Sequence, residues 1–361
     1  MTPRRILMSV DAVGGVWRYA MDLASALQQR GTGVVFACLG PVPSPAQRSE
    51  AEAIGPFFQL DAPLDWTAQD ESDLTAVPGL IAGLAARTGV DLIHLNLPSQ
   101  AAGLRTDLPV VVVSHSCVVT WFRAVRGTGV PPGWEWQQRL NQSGFEAADV
   151  VVAPSRSHAT LLSECYRDLR NVRVVHNSVR PLLGNPVHLP FIIAAGRWWD
   201  DGKNAPILDQ AALGSRWPIH MAGSQRGPNG QFQPIENAIV HGELAGSELR
   251  QLMARASIFV SPSIYEPFGL APLEAASSGL PLVLSNIPTY RELWDGAALF
   301  ADPTNPNDFR DLLNLLSRDG ALRADLGAKA FARARTFTAD RQLDTMLTVY
   351  ADALSPERAY A

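Results

Sequence analysis

Two α/β domains built on parallel sheets are the fold class this sequence predicts, and three observations predict it. Short apolar runs at residues 6–10, 34–39, 110–113 and 258–260 lack polar alternation, the mark of strands buried on both faces. Segments with apolar residues at helical spacing fill the gaps, so strand and helix alternate. The alternation lapses over residues 178–190, where three prolines and a glycine leave no usable periodicity, and then restarts. At 361 residues there is room for two domains of ordinary size.

In order, residues 6–10 form the first strand. Val16, Ala20, Leu23 and Leu27 then share one helical face, and Gly31 stands where a helix end needs a left-handed residue. Strands follow at 34–39, 92–95, 110–113 and 150–152. The helix between the last two is blurred by the turn-rich stretch 127–133. A second series runs through 191–195, 219–222, 239–240, 258–260 and 281–284, and residues 321–354 read almost wholly as helix. The predicted architecture is two Rossmann-like, doubly wound domains, 1–180 and 190–337, facing a cleft, with 338–361 as a closing segment. Ligands of such sheets bind at the C-terminal strand ends.

Composition excludes several classes. A net charge of -5 offers nucleic acid no electrostatic footing. Three scattered cysteines make neither a disulfide framework nor a zinc site, and Cys38 and Cys117 read as packed thiols. No apolar run reaches the roughly 18 residues a membrane span needs. The opening residues lack a signal-type apolar core. A cytoplasmic enzyme is expected, one that at most touches the inner face of a membrane.

The residues suited to chemistry lie at strand ends. After the strand at 258–260 comes Ser-Pro-Ser-Ile-Tyr-Glu-Pro-Phe-Gly-Leu-Ala-Pro-Leu-Glu, residues 261–274. A helix over 270–278 would leave the N–H groups of Phe268, Gly269 and Leu270 unpaired and aimed at an anion. Gly269 lets a phosphate approach the backbone, and Pro272 falls in the first turn, where it costs nothing. Glu266 and Glu274 are suited to accept from sugar or ribose hydroxyls. Arg197 and Lys203 leave one loop after the strand at 191–195, so both can reach one diphosphate. His115 ends the strand at 110–113 and can donate to a sugar hydroxyl or a developing charge. Gly14 and Gly15 allow a tight turn into the first helix. Adjacent glycines, with Leu39-Gly40 where an acidic residue belongs, exclude a dinucleotide-binding turn.

The string from Glu266 to Glu274 resembles the E-x7-E signature of the family 4 retaining glycosyltransferases of GT-B fold, and matches it at every fixed position. The resemblance implies a last helix, 338–350, that returns to the first domain. It implies transfer of a sugar from a nucleotide-diphosphate sugar, a UDP-sugar ahead of a GDP-sugar, to a hydroxyl of a saccharide, lipid-linked or small-molecule acceptor. Retention at the anomeric carbon, independence of metal and no cofactor beyond the nucleotide-sugar co-substrate go with it. Under that resemblance Glu274 holds the ribose, and Glu266 and His115 hold the donor sugar. Arg197, Lys203 and the N–H groups at 268–270 meet the diphosphate, and Gly15 belongs to the loop beneath it. Asn204 stands where many relatives carry glycine. Trp121, Phe122, Trp134 and Trp136, among Arg123, Arg126 and Arg139, mark either an acceptor or membrane-facing surface of the first domain or a local core. A non-catalytic nucleotide-sugar-binding protein and a GT-B sugar-nucleotide epimerase are the rival functions.

Overall fold

The computed structural model describes residues 2–179 and 188–355. Much of the predicted 178–190 seam and the last residues of the closing segment lie outside them. Contacts divide the chain into two compact units, the boundaries falling between Asn177 and Ser178 and between Thr338 and Ala339. The chain after Thr338 belongs to the first unit.

The first unit holds seven strands: β1 (Arg5–Val10), β2 (Gly33–Cys38), β3 (Phe57–Gln59), β4 (Leu92–Leu95), β5 (Val110–Val113), β6 (Val150–Ala153) and β7 (Val172–Val174). They pair in parallel in the order β3-β2-β1-β4-β5-β6-β7. The second unit holds β8 (Ile192–Ala195), β9 (Ile219–Ala222), β10 (Ile239–Gly242), β11 (Ile258–Ser261), β12 (Leu282–Ser285) and β13 (Leu299–Ala301). Their order is β10-β9-β8-β11-β12-β13, again parallel. Both are Rossmann-like sheets, and the strand order reverses between β1 and β4 in one and between β8 and β11 in the other. At such a reversal the loops leaving two neighbouring strands diverge, which opens a crevice at their carboxyl ends.

Both faces of each sheet are covered, as the unalternating runs require. Leu7, Val35, Ile93 and Val112 point into one core of the first unit, whereas Ile6, Met8, Phe36 and Val111 point into the other. The second sheet divides likewise, with Ile193, Phe259 and Leu282 against Ile192, Ile258 and Val283. The helix Ala339–Ala353 covers the second of the first unit's cores through Leu343, Met346, Val349, Tyr350 and Ala353, which share one helical face. Its neighbour there is the helix Gly15–Gln29.

Three strands escaped the sequence reading: β3, β7 and β13. Each has three residues and lies at a sheet edge; β3 and β7 are only partly buried, whereas β13 lies in the apolar run 297–301 and was missed despite it. The blurred stretch resolves into a helical turn at Val118–Trp121 that runs into a π-helical turn, Phe122–Arg126, stopped by Gly127 at φ 68°. The helix Glu135–Ala147 follows and presses so closely on Pro98 that a Cβ on Gly144 would lie 1.8 Å from its carbonyl oxygen. No helix among the described residues is long and apolar enough to cross a membrane.

Candidate active site

In the second unit, the reversal between β8 and β11 joins residues 63 positions apart. The loop after β8 folds into a short 3-10 turn, Asp201–Lys203, whose Gly202 N–H donates to the Asp200 carboxylate at 2.9 Å. Gly202 in turn accepts from the Ile264 N–H at 2.9 Å, which ties this loop to the turn after β11. Asn204 closes the loop at φ 58°, a left-handed conformation that Asn tolerates better than most residues. Its side-chain amide donates to the carbonyls of Pro262 (3.0 Å) and Pro303 (2.8 Å). Asn204 therefore holds a left-handed backbone and adds two tethers.

These constraints bring Lys203 Nζ into an ion pair with Glu266 Oε1, the two side chains only 18% and 13% exposed. Arg197 goes elsewhere. It pairs with Asp200 at 3.3 Å and lies over the Trp199 ring at 5.4 Å, with its side chain 42% exposed. The two cations expected to meet one diphosphate are thus each held by a carboxylate: Lys203 by one of the predicted site residues, Arg197 by its own loop.

The turn after β11 leads into the helix Leu270–Ser277 through Gly269 at φ 88°. A Cβ there would be strained by that φ and would meet the Tyr290 ring at 3.0 Å. No side chain caps this helix. Phe268, Gly269 and Leu270, where an anion site is expected, lead into and open this helix. Phe268 is buried edge-on against Phe337, at 5.7 Å between ring centroids, which anchors the turn from behind. Glu274 lies a turn into the helix and is half-buried.

Three residues of this site had no assigned role in the sequence reading. Ser263 donates to Glu266 Oε1 at 3.2 Å, Ser261 and Ser263 hydroxyls are 3.2 Å apart, and the Tyr290 hydroxyl is 2.7 Å from Ser261 Oγ. The serines lie in the stretch 261–265, just ahead of the signature, and nothing in its spacing marks them. Tyr290 belongs to a different helix, Pro288–Trp294, and only the adjacency of β11 and β12 brings it near.

In the first unit, Gly14 (φ 72°) makes the turn after β1 and Gly15 opens the helix behind it. His115 follows β5, and its Nε2 lies 2.8 Å from Asn96 Oδ1. The directions of the bonds around Asn96 can be derived. Its side-chain Nδ2 donates to the Ser9 carbonyl, so Oδ1 is an acceptor and both nearby ring nitrogens must donate to it. His94 Nε2, at 3.3 Å, is the second donor, and His94 Nδ1 accepts from the Tyr350 hydroxyl at 2.8 Å. The Asn96 backbone N–H donates to Ser9 Oγ, which donates to Gln100 Oε1 at 2.6 Å. Burial, and then the neighbouring His94 and His158, push His115 down to about 3; burial also pushes His94 to about 4 and His158 to about 3. His115 is therefore neutral at pH 7 with its proton on Nε2. In this arrangement the ring proton goes to Asn96, and Nδ1 of His115 is an acceptor. His94, which the sequence offers as a capped core residue, is fully buried and bonded to Tyr350 and Asn96; Asn96 had no assigned role, although it follows β4 as His115 follows β5.

The aromatic patch is a stack in its own right. Trp121, Phe122 and Trp134 meet edge-on in sequence, Arg126 lies over Trp121 at 5.1 Å, and Trp136 is buried. Cys38 and Cys117 are both buried thiols. Among the described residues, no group of three or more His, Cys, Asp or Glu side chains could hold a metal ion.

Comparison with known proteins agrees with this geometry. The family model described as Glycosyltransferase Family 4 matches residues 13–181, and that described as Glycosyl transferases group 1 matches 229–333. A D-inositol 3-phosphate glycosyltransferase of Xylanimonas cellulosilytica is 28% identical over 94% of this chain and 92% of its own. A sucrose-phosphate synthase from Thermosynechococcus elongatus superposes with a TM-score of 0.76 at 17% identity, covering 96% of this chain and 98% of that one. The Anabaena protein HepE, solved with UDP and glucose, gives 0.75 at 16% identity over 96% and 99%. With two family models in series along the sequence and two Rossmann-like sheets beneath them, the chain belongs to the GT-B glycosyltransferases.

Proposed function

We propose that the protein transfers a sugar from a nucleotide-diphosphate sugar, UDP-linked ahead of GDP-linked, to a hydroxyl acceptor, with retention and without a metal ion. The observation that carries the reading is the Lys203–Glu266 pair set beside the uncapped helix at Gly269. Departure of the nucleoside diphosphate develops negative charge on its phosphates. The helix N–H groups, Lys203 and Arg197 are preorganised donors for that charge. Glu266 accepts Lys203 and Ser263 on Oε1, which leaves Oε2 as an acceptor for a donor-sugar hydroxyl. Glu274 is assigned to the ribose hydroxyls, and Gly15 to the loop under the diphosphate. His115 accepts from a sugar hydroxyl through Nδ1. The D-inositol 3-phosphate glycosyltransferase relative and the UDP and glucose bound by HepE favour a phosphorylated or saccharide acceptor and a uridine donor. Peripheral contact of the first unit with a membrane surface belongs to the same reading, with the half-exposed Trp134 as its marker.

The test is a thermal-shift series with UDP, GDP and ADP, followed by transfer from the matching nucleotide sugar in EDTA. A binding diphosphate raises the melting temperature by mass action. Full activity in EDTA is expected, because cations and helix N–H groups meet the charge. Activity that vanishes in EDTA and returns with magnesium or manganese refutes the metal-free site. Absence of a shift with every diphosphate refutes the donor assignment.

A further inference from the structure

Glu266 is held by more than its lysine. A carboxylate only accepts, so the Ser263 hydroxyl must spend its proton on Oε1. Ser263 Oγ can then only accept from Ser261, whose hydroxyl must donate to it, and Ser261 Oγ accepts in turn from Tyr290. The phenol keeps its proton, since burial and then the Glu266 charge raise it well above the usual tyrosine range. Each hydroxyl dipole therefore points toward the same carboxylate. Ser261, Ser263 and Tyr290 are 6%, 2% and 0% exposed, so water does not compete for these bonds. The chain ends blindly at the buried phenol. It has no outlet for a proton and serves to orient Glu266.

We infer that Tyr290 is a positioning residue for sugar transfer: its hydroxyl heads a one-way chain through Ser261 and Ser263 that fixes Oε1 of Glu266 and presents Oε2 alone to the ligand. This rests on the reading of Glu266 as the acceptor for a donor-sugar hydroxyl. The Tyr290 ring has a separate task, as it packs against Gly269 at the mouth of the phosphate-facing helix. The substitution Tyr290→Phe separates the two, because it keeps the ring and deletes only the head of the chain.

Two measurements test the inference. In the transfer assay, Tyr290→Phe and Ser263→Ala should each lower kcat about tenfold while KM and affinity for free UDP change less than about twofold. Ser263→Thr, which keeps the hydroxyl, should restore most of the rate. A purely structural tyrosine would instead weaken UDP binding through the Gly269 turn, and that result, or an unchanged kcat, overturns the inference. The second measurement needs no activity. Urea unfolding of Tyr290→Phe is compared in the wild-type and Glu266→Gln backgrounds, although the phenol does not touch Glu266. A smaller loss of midpoint in the Gln background is expected, because the chain then ends on a neutral group. Equal losses in both backgrounds refute the chain; coupling in urea without any transfer refutes only the reading of the reaction.

Discussion

Lys203→Met should remove both turnover and a large part of the second unit's stability. Lys203 and Glu266 are mostly withdrawn from water and are each other's charge partner. Truncating the cation leaves Glu266 ionised in a site built for a pair, a loss of about 3 kcal/mol by comparison with other broken buried pairs. The transition state separately loses one preorganised cation facing the leaving diphosphate, worth about 100-fold in kcat. The two losses separate in the double variant Lys203→Met/Glu266→Gln. Neutralising the stranded carboxylate should recover most of the urea midpoint and none of the activity. If the double variant unfolds as early as Lys203→Met alone, the pair is not what holds that loop; if it turns over normally, neither residue belongs to the reaction.

The second large effect is expected at Asn96. Its Oδ1 accepts two ring N–H groups and its Nδ2 closes on the Ser9 carbonyl, all in the buried layer beneath His115. Asn96→Leu strands the His94 N–H and the Ser9 carbonyl in a layer that water does not enter, at a cost of about 1–3 kcal/mol for each, and frees the part-buried His115 N–H as well. A midpoint lowered by several kcal/mol equivalents should accompany loss of transfer. Asn96→Asp keeps the acceptor and adds a charge, while it gives up the donor to the Ser9 carbonyl. The carboxylate still accepts from both rings, but its negative charge favours their protonated forms, so the His115 and His94 pKa values should rise toward the ordinary range. Imidazole chemical shifts followed against pH report this directly. Unmoved titrations in the Asp variant would mean that Asn96 does not face both rings.

What could be read in advance follows from where the information lies. Strands buried on both faces announce themselves as apolar runs, which is why β1, β2, β5 and β11 were visible and the partly buried three-residue edges β3 and β7 were not; β13 was missed although residues 297–301 are all apolar. The signature from Glu266 to Glu274 is contiguous, so its turn and helix were legible down to Gly269. Partnerships across strands were not. That Lys203 reaches Glu266 depends on β8 lying beside β11, and that Tyr290 reaches Ser261 depends on β11 lying beside β12. Asn204 read as a departure from glycine because the requirement is a left-handed backbone, which sequence shows only through residue type. His115 was recognisable from its strand end, but the proton it carries is set by Asn96, and ring tautomers leave no trace in a sequence.

The three neutral imidazoles of the first unit make mild acid a stress on that half of the molecule. In the unfolded chain His94, His115 and His158 take up protons as the pH falls below about 6.5, whereas the folded unit refuses them until about 3–4. Unfolding therefore absorbs protons throughout that window, and stability declines as the pH drops through it. At pH 5 all three lie in the window where the open chain holds protons that the folded unit refuses, so each shifts the balance in the same direction. Inactivation near pH 5 would then be the opening of a scaffold, with no essential acid or base titrating in the reaction. Circular dichroism and activity recorded along one acid titration should fall together; activity lost while the first unit keeps its structure would point back to the chemistry.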